Sequence, residues 1–443
     1  LLTKDKKMNY TAAFEKLNKK EGSIENRAFN RVEKMGLPTR KSEVYKYSNL
    51  SHFKNLTPNT DASVPHKIPE YFKHDYIKDK HILVTVNGIF SESLSTIHED
   101  ESGLIITCMC DARKEYRDIV NQHFNETTKE YPDYFSELNT AFAHCGIFIY
   151  AKKNTHTAKP IVILNLGSQQ KEDTLNNQRN LIVLEENAEV TIIEDYSNLD
   201  EKIDYNLNHF SEYFLGENAS LKVGIYQEEN NGFYFIGNKF FEMSRNSRLK
   251  TTAIDLGGNF IRNNFRVNLN GENAEAIING VFINNKKEHT DDRILINHNA
   301  ANCQSFQTFK GILNDESTGV FNGKVYVAEG AQKTNAFQSN KNILLSEDAT
   351  MNTKPELEIY ADDVKCSHGA TCGQLDEDAI YYAETRGIPR DKAKKLIVFA
   401  FAQDVVQQIE NEDFRNFVER RLVHNLDLTE YSTFESVQSG IKE

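Results

Sequence analysis

Glu186-Asn187-Ala188-Glu189, Glu217-Asn218-Ala219-Ser220, Arg245-Asn246-Ser247-Arg248, Glu272-Asn273-Ala274-Glu275 and Ala301-Asn302-Cys303-Gln304 are five versions of one phrase. Each reads Asn, then a small residue, then a polar one. The asparagines fall 31, 28, 27 and 29 residues apart. Glu329-Gly330-Ala331-Gln332 continues the series with Gly in place of Asn, and Asp348-Ala349-Thr350 follows at a shorter interval. Asn and Gly tolerate left-handed backbone and bond locally, so each phrase marks a turn. Between the turns lie β-patterned runs such as Val190-Thr191-Ile192-Ile193 and Gly323-Lys324-Val325-Tyr326-Val327. Short strands at a steady period near 28 mean stacked coils, each burying its face on the next. The spacing predicts a mainly β chain with a right-handed β-helix, or solenoid, over 151–375. A propeller would need periods of about 40–45 with blade signatures.

The flanks read as helical. Phe14, Leu17, Phe29, Val32 and Met35 have helix-compatible spacing, and 111–143 is rich in charged helix formers. Three parts are expected: a mostly helical or mixed region at 1–150, the β-helix at 151–375, and a helical region at 376–443. The last carries a broad apolar stripe that includes Phe399, Phe401, Val405, Phe414 and Phe417. Such a stripe caps the last coil, docks a partner helix-in-groove, or does both with different faces.

Charge narrows the function. The net charge of −13 argues against nucleic acid or an anionic membrane surface as the main partner. No run approaches the length of a transmembrane span, and the first eight residues lack the apolar core of a signal peptide. The six cysteines, at 108, 110, 145, 303, 366 and 372, show no CxxC pair. They read as free thiols of a cytoplasmic chain. There is no phosphate loop: Gly319-Val320-Phe321-Asn322-Gly323-Lys324 is one residue short and lacks the hydroxyl. Asp291-Asp292 and Asp362-Asp363 read as turn residues. His289 and His298, nine apart, fall on opposite faces of a continuous strand and form no common site.

The chemistry-bearing stretch is Cys366-Ser367-His368-Gly369-Ala370-Thr371-Cys372. In an extended strand Cys366 and His368 share a face, about 7 Å apart. Thiolate with imidazole suits zinc, copper or iron–sulfur chemistry, though a closed metal site takes four ligands. Asp376-Glu377-Asp378 then caps a helix, and Arg386-Gly387-Ile388-Pro389 ends it and starts another.

Four segments in order carry a family resemblance. They are Gly36-Leu37-Pro38-Thr39-Arg40 through Tyr47; Leu138 to Ala143 with Gly146 to Tyr150; Lys310-Gly311-Ile312-Leu313 with Gly319 to Lys324; and Cys366 to Thr371 with Gly373-Gln374-Leu375-Asp376. With them the chain resembles the SufB/SufD family of iron–sulfur cluster assembly scaffolds over about residues 30–425. Ser339 stands where SufB has its sulfur-accepting cysteine, which turns the resemblance to the SufD side.

The resemblance implies a non-enzymatic scaffold in a SufBCD-type complex. Its solenoid end would pair with a SufB-like subunit. Its C-terminal helices, through Phe399, Phe401, Val405, Phe414 and Phe417, would bind a SufC-like ATPase. A nascent iron–sulfur cluster would be held only in the complex, with His368 and Cys366 as ligands shared with SufB. The isolated chain could also pair with itself. Cys372 is either an extra ligand or a small core residue, and the second is expected. The other reading is a carbohydrate-active β-helix enzyme, a lyase or hydrolase; the thiol-bearing motif and the missing export signal count against it.

Overall fold

The computed structural model describes residues 4–61, 75–98, 103–129, 132–144, 146–168, 173–199, 204–228 and 232–428. Its centre is a β-solenoid of about seven turns, each giving one strand to each of two parallel sheets. The first sheet takes Thr174–Leu184, Tyr205–Leu215, Phe233–Met243, Phe260–Leu269, His289–His298, Thr318–Val327 and Thr350–Ile359. The second takes Glu189–Asn198, Ser220–Gln227, Arg248–Leu256, Glu275–Asn284, Gln304–Leu313, Asn335–Leu344 and Lys365–Gly373.

The repeated phrase is the corner between the sheets. Asn187, Asn218, Asn246, Asn273 and Asn302 all have left-handed backbone, with φ between 56° and 62°. The small residue after each (Ala188, Ala219, Ser247, Ala274, Cys303) is 0% exposed, because it points into the corner of the lumen. The asparagines also bond to one another. Asn218, Asn246 and Asn273 each donate Nδ2 to the Oδ1 of the preceding turn's asparagine, at 3.0, 2.9 and 3.0 Å. One expectation is corrected here. Gly330 does not take the left-handed place; Lys333 does, at φ 60°, because this turn is longer.

The lumen is apolar for most of its length, with Ile192, Val223, Phe235, Phe265, Ile278, Ile294, Phe309 and Phe321 buried in it. It also holds polar groups. Glu194 accepts from the hydroxyls of Tyr196 and Tyr213 and pairs with Lys239 at 2.9 Å. Asp255 and Asp292 flank Asn263. The expectation that Asp291 and Asp292 are turn residues is therefore overturned. Both lie inside strand His289–His298 and are buried. Asp291 faces outward, onto the Arg262 guanidinium and the Ser48 hydroxyl. Arg262 also donates to Val44 O at 3.0 Å and stacks over Tyr45, whose hydroxyl donates to Asp133 at 2.7 Å.

The two ends of the solenoid differ. At the N-terminal end, Ile147–Ala151 extends the first sheet, and Ile161–Gly167 with His81–Val86 extends the second. Each sheet then stops on an antiparallel strand, Leu104–Cys108 or Ile89–Thr96. The region read as mostly helical or mixed supplies strands to both sheets. Its helices, including Lys4–Lys16, Ile24–Met35 and Tyr134–Phe142, cover the first sheet, with Phe14, Phe29, Leu138 and Phe142 packed on Leu175, Ile236 and Phe260. At the C-terminal end, Thr350–Ile359 and Lys365–Gly373 are each the last strand of their sheet.

The tail turns back along the second sheet as helices Glu377–Thr385, Arg390–Val406 and Glu412–Asn425. Asp376 caps the first, accepting from Asp378 N and Ala379 N. Val398, Ala402, Val405, Phe414 and Phe417 pack on Tyr226, Ile254, Val281 and Ile283. Ion pairs of Glu410 with Lys222 and Lys250, and of Arg421 with Glu228, flank this contact at 2.6, 3.1 and 2.6 Å. No helix among the described residues is long and apolar enough to cross a membrane.

Candidate functional site at the open end of the solenoid

Strand Lys365–Gly373 is read through its neighbour. In Asn335–Leu344 the buried, lumen-facing residues are Ala336, Gln338, Asn340 and Asn342. Their register partners are Cys366, His368, Ala370 and Cys372. Cys366 and His368 therefore share a face, and that face is the inward one. It is open to solvent, and among the described residues no further turn lies over it.

The two side chains differ in setting. Cys366 is half-buried beside Leu357, Val364 and Ala336, and this burial pushes its thiol up. The thiol is thus protonated at neutral pH until a metal or a cation draws off the proton. His368 is exposed. Cys372 is exposed too, so its expected place as a core residue is overturned. It closes the same inward row, four residues beyond His368. Ser339 is half-buried and, by parity, on the outer face.

Among the described residues no three His, Cys, Asp or Glu side chains stand together as a metal site. One thiol and one imidazole on a bare edge make half of a ligand set. The soft sulfur and borderline nitrogen suit iron–sulfur or zinc chemistry, with the remaining ligands supplied from outside the chain.

The other sequence candidates separate. His289 stacks on Phe260, ring centroids 5.0 Å apart, while His298 Nε2 meets Ser305 Oγ at 2.8 Å in the lumen; they share no site. Of the five tail residues, Val405, Phe414 and Phe417 are at most 5% exposed and are used inside the molecule. Phe399 and Phe401 are half-buried, and the Lys310 ammonium sits over the Phe401 ring at 4.4 Å. Phe399 lines an outward groove on helix Arg390–Val406 with Leu396, Ala400, Gln403 and Gln407. Cys108, Cys303, Cys366 and Cys372 are free thiols, as expected, but Cys110 is in a disulfide. Cys145 lies outside the described residues.

The buried carboxyls of the lumen escaped the sequence reading. Burial, and then its neighbour Asp255, hold Asp292 well above the usual carboxylate range; burial pushes Asp255 up to about 6. An Asp-Asp pair carries a turn signal, and nothing local says that it lies in a strand.

A two-sheet parallel solenoid, closed at one end by antiparallel strands, bare at the other, with a helical tail along one sheet, defines the class of protein. The description "SUF system FeS cluster assembly, SufBD core domain" matches residues 166–401, and "SufBD protein N-terminal region" matches 6–163. The Escherichia coli iron–sulfur cluster assembly protein SufD is 31% identical over 396 residues, covering 88% of this chain and 90% of that protein. A SufBD family protein of Synechocystis is 30% identical over 406 residues, covering 89% and 87%. Bacillus subtilis SufD is 27% identical over 312 residues, covering 70% and 71%. The chain belongs to the SufB/SufD family, on its SufD side. Its role is in iron–sulfur cluster assembly.

Proposed function

We propose that the chain is a non-enzymatic scaffold subunit of a cytoplasmic SufBCD-type complex. Its bare last turn pairs with a SufB-like subunit, and its tail docks a SufC-like ATPase. Cys366 and His368 supply part of the ligand set for a nascent cluster, which is cargo of the complex. The observation that carries the reading is the terminal strand itself: it puts a thiol and an imidazole on a lumen-facing row that no turn among the described residues covers. Unpaired strand edges are a liability unless another chain covers them. The proposed parts remain 1–150, 151–375 and 376–443, with strands of the first completing the sheets of the second.

The docking residues for the ATPase are narrowed by burial. Phe399 stays in the proposed surface, with Leu396, Ala400, Gln403 and Gln407 around it. Phe401 borders it, while Val405, Phe414 and Phe417 hold the helices in place from beneath. The test is co-expression with SufB- and SufC-like subunits, followed by native mass measurement. A complex containing all three chains is expected. An isolated chain that stays a monomer or a homodimer in their presence overturns the proposal.

A further inference from the structure

Beneath the exposed strand lies a buried pair of carboxamides. Gln307 and Gln338 are register partners, and Gln338 is in turn the register partner of His368. The three form one inward-facing row, deep to shallow, with adjacent strands about 4.8 Å apart. The glutamines are 2% and 4% exposed. Gln338 Nε2 donates to Gln307 Oε1 at 3.0 Å. The Gln338 side chain reaches across the lumen to Gly323 of the other sheet, where a Cβ would come within 1.8 Å of Nε2. Only glycine leaves that space.

A carboxamide is planar, with its nitrogen and oxygen on opposite sides of the Cγ–Cδ axis. With Nε2 turned to the deeper strand of Gln307, Oε1 is turned to the outer strand, where His368 stands. Among the described residues this buried oxygen has no hydrogen-bond partner. A buried acceptor left unpaired is costly, so it selects any donor within reach. Thr353 Oγ1, on the last strand of the other sheet, and Gln307 Nε2, on the deeper side, are also without a partner and are the competing donors.

We propose that Gln338 is a positioning residue for His368: its Oε1 accepts one imidazole N–H, holding the ring in one tautomer and leaving the other nitrogen's lone pair facing the open end. Histidines that bind metals commonly have their second ring nitrogen held in this way. The proposal rests on the reading of His368 as a ligand of the nascent cluster.

The test uses the full chain labelled with ¹⁵N-histidine, with the His368 ring signals assigned by their loss in His368→Gln. In the parent chain at pH 8, one tautomer should exceed the other by roughly five- to tenfold, the worth of a single hydrogen bond. Gln338→Met and Gln338→Asn, which remove or withdraw the acceptor, should relax the ratio to that of a free imidazole. Gln338→Glu, which keeps an oxygen at the same reach, should preserve it, and so should Thr353→Val. Thermal melts identify the folded variants, and either withdrawal variant suffices. An unchanged ratio in a folded withdrawal variant overturns the proposal, as does a ratio that follows Thr353→Val instead. In cells, withdrawal should weaken cluster assembly and Gln338→Glu should rescue it. Should His368→Ala support full assembly while the ratio behaves as expected, the ligand reading fails and the positioning stands.

Discussion

Asp255 and Asp292, on opposite sheets of the solenoid, accept hydrogen bonds from the same nitrogen, Asn263 Nδ2, each at 2.9 Å. Two buried carboxylates on one donor cannot both ionise without strong repulsion, so the pair retains a proton. Both groups are raised, Asp255 to about 6 and Asp292 well above the usual carboxylate range, with burial the first cause. A raised acid binds more protons folded than unfolded. Its stabilisation is therefore full below the unfolded value of about 4 and is lost as pH rises through the folded values. Asp292→Asn should raise the melting temperature at pH 8 by a few degrees and change it little at pH 4. Melts of both chains across pH 4–8 check this; equal shifts at both ends would show that the pair holds no proton.

Removing the candidate imidazole should separate function from fold. His368 is exposed, and such side chains usually contribute within about 0.5 kcal/mol to stability. His368→Ala is expected to impair cluster assembly in cells while leaving the melt of the purified complex unchanged. Cys366→Ala should behave alike, with a small loss of stability from its half-buried thiol. Full complementation by both variants would remove the motif from the function. Loss of complementation with a matching loss of stability would make it structural.

The isolated chain should hold no stable cluster. A cluster commonly takes four protein ligands, and the inward row of the last strand offers Cys366, His368 and Cys372. Anaerobic reconstitution with iron and sulfide, followed by absorption and iron analysis, should give far less than one cluster per chain. A stoichiometric, stable cluster would contradict the shared-site reading.

Substitutions in the tail should divide by depth. Phe414→Ala and Phe417→Ala remove buried rings and should each cost about 3–5 kcal/mol of stability. Ala400→Glu, in the outward groove, should leave the melt unchanged and weaken ATPase binding at least tenfold in a titration calorimeter. Deleting 390–443 outright would also bare Tyr226, Ile254 and Ile283, so lost binding would not by itself identify the docking surface.

The corner asparagines give a sharper test of the repeat. Asn246→Gly keeps the left-handed backbone but loses the two bonds to Asn218 and Asn273; Asn246→Val loses both and strains the backbone. The valine variant should be less stable than the glycine variant by about 1–2 kcal/mol in denaturant melts. Equal stability would mean that the corner relaxes.

Much of the solenoid was legible because its corners use residues with a backbone preference. All five asparagines named from the sequence take the left-handed conformation. Lys286 and Lys333 take it too, at φ 52° and 60°, and no propensity marks a lysine for that place. The N-terminal strands were hidden for another reason. They lie among helices, and only one local cue was present: Asn87-Gly88, both at positive φ, the turn of hairpin His81–Val86 and Ile89–Thr96. Cys366 and His368 were found because a two-residue spacing defines one face of a strand. Which face, and that no described residue lies over it as a further turn, depends on the register with Asn335–Leu344, a relation no local stretch carries. For the tail, the apolar stripe was visible but not its division between sheet and surface.

The knot of Ser48, Arg262 and Asp291 bears on the order in which the chain can be completed as it is made. Ser48 is 2% exposed, and Arg262 and Asp291 beside it are 0% and 2%. A ribosome releases Ser48 more than two hundred residues before the partners that bury it. The Ser48 contact must wait while four turns of the solenoid are laid down, and it closes only once strand His289–His298, the first of the fifth turn, has emerged. A chain stalled between Arg262 and Asp291 would leave both Arg262 and Ser48 without the one carboxylate they share.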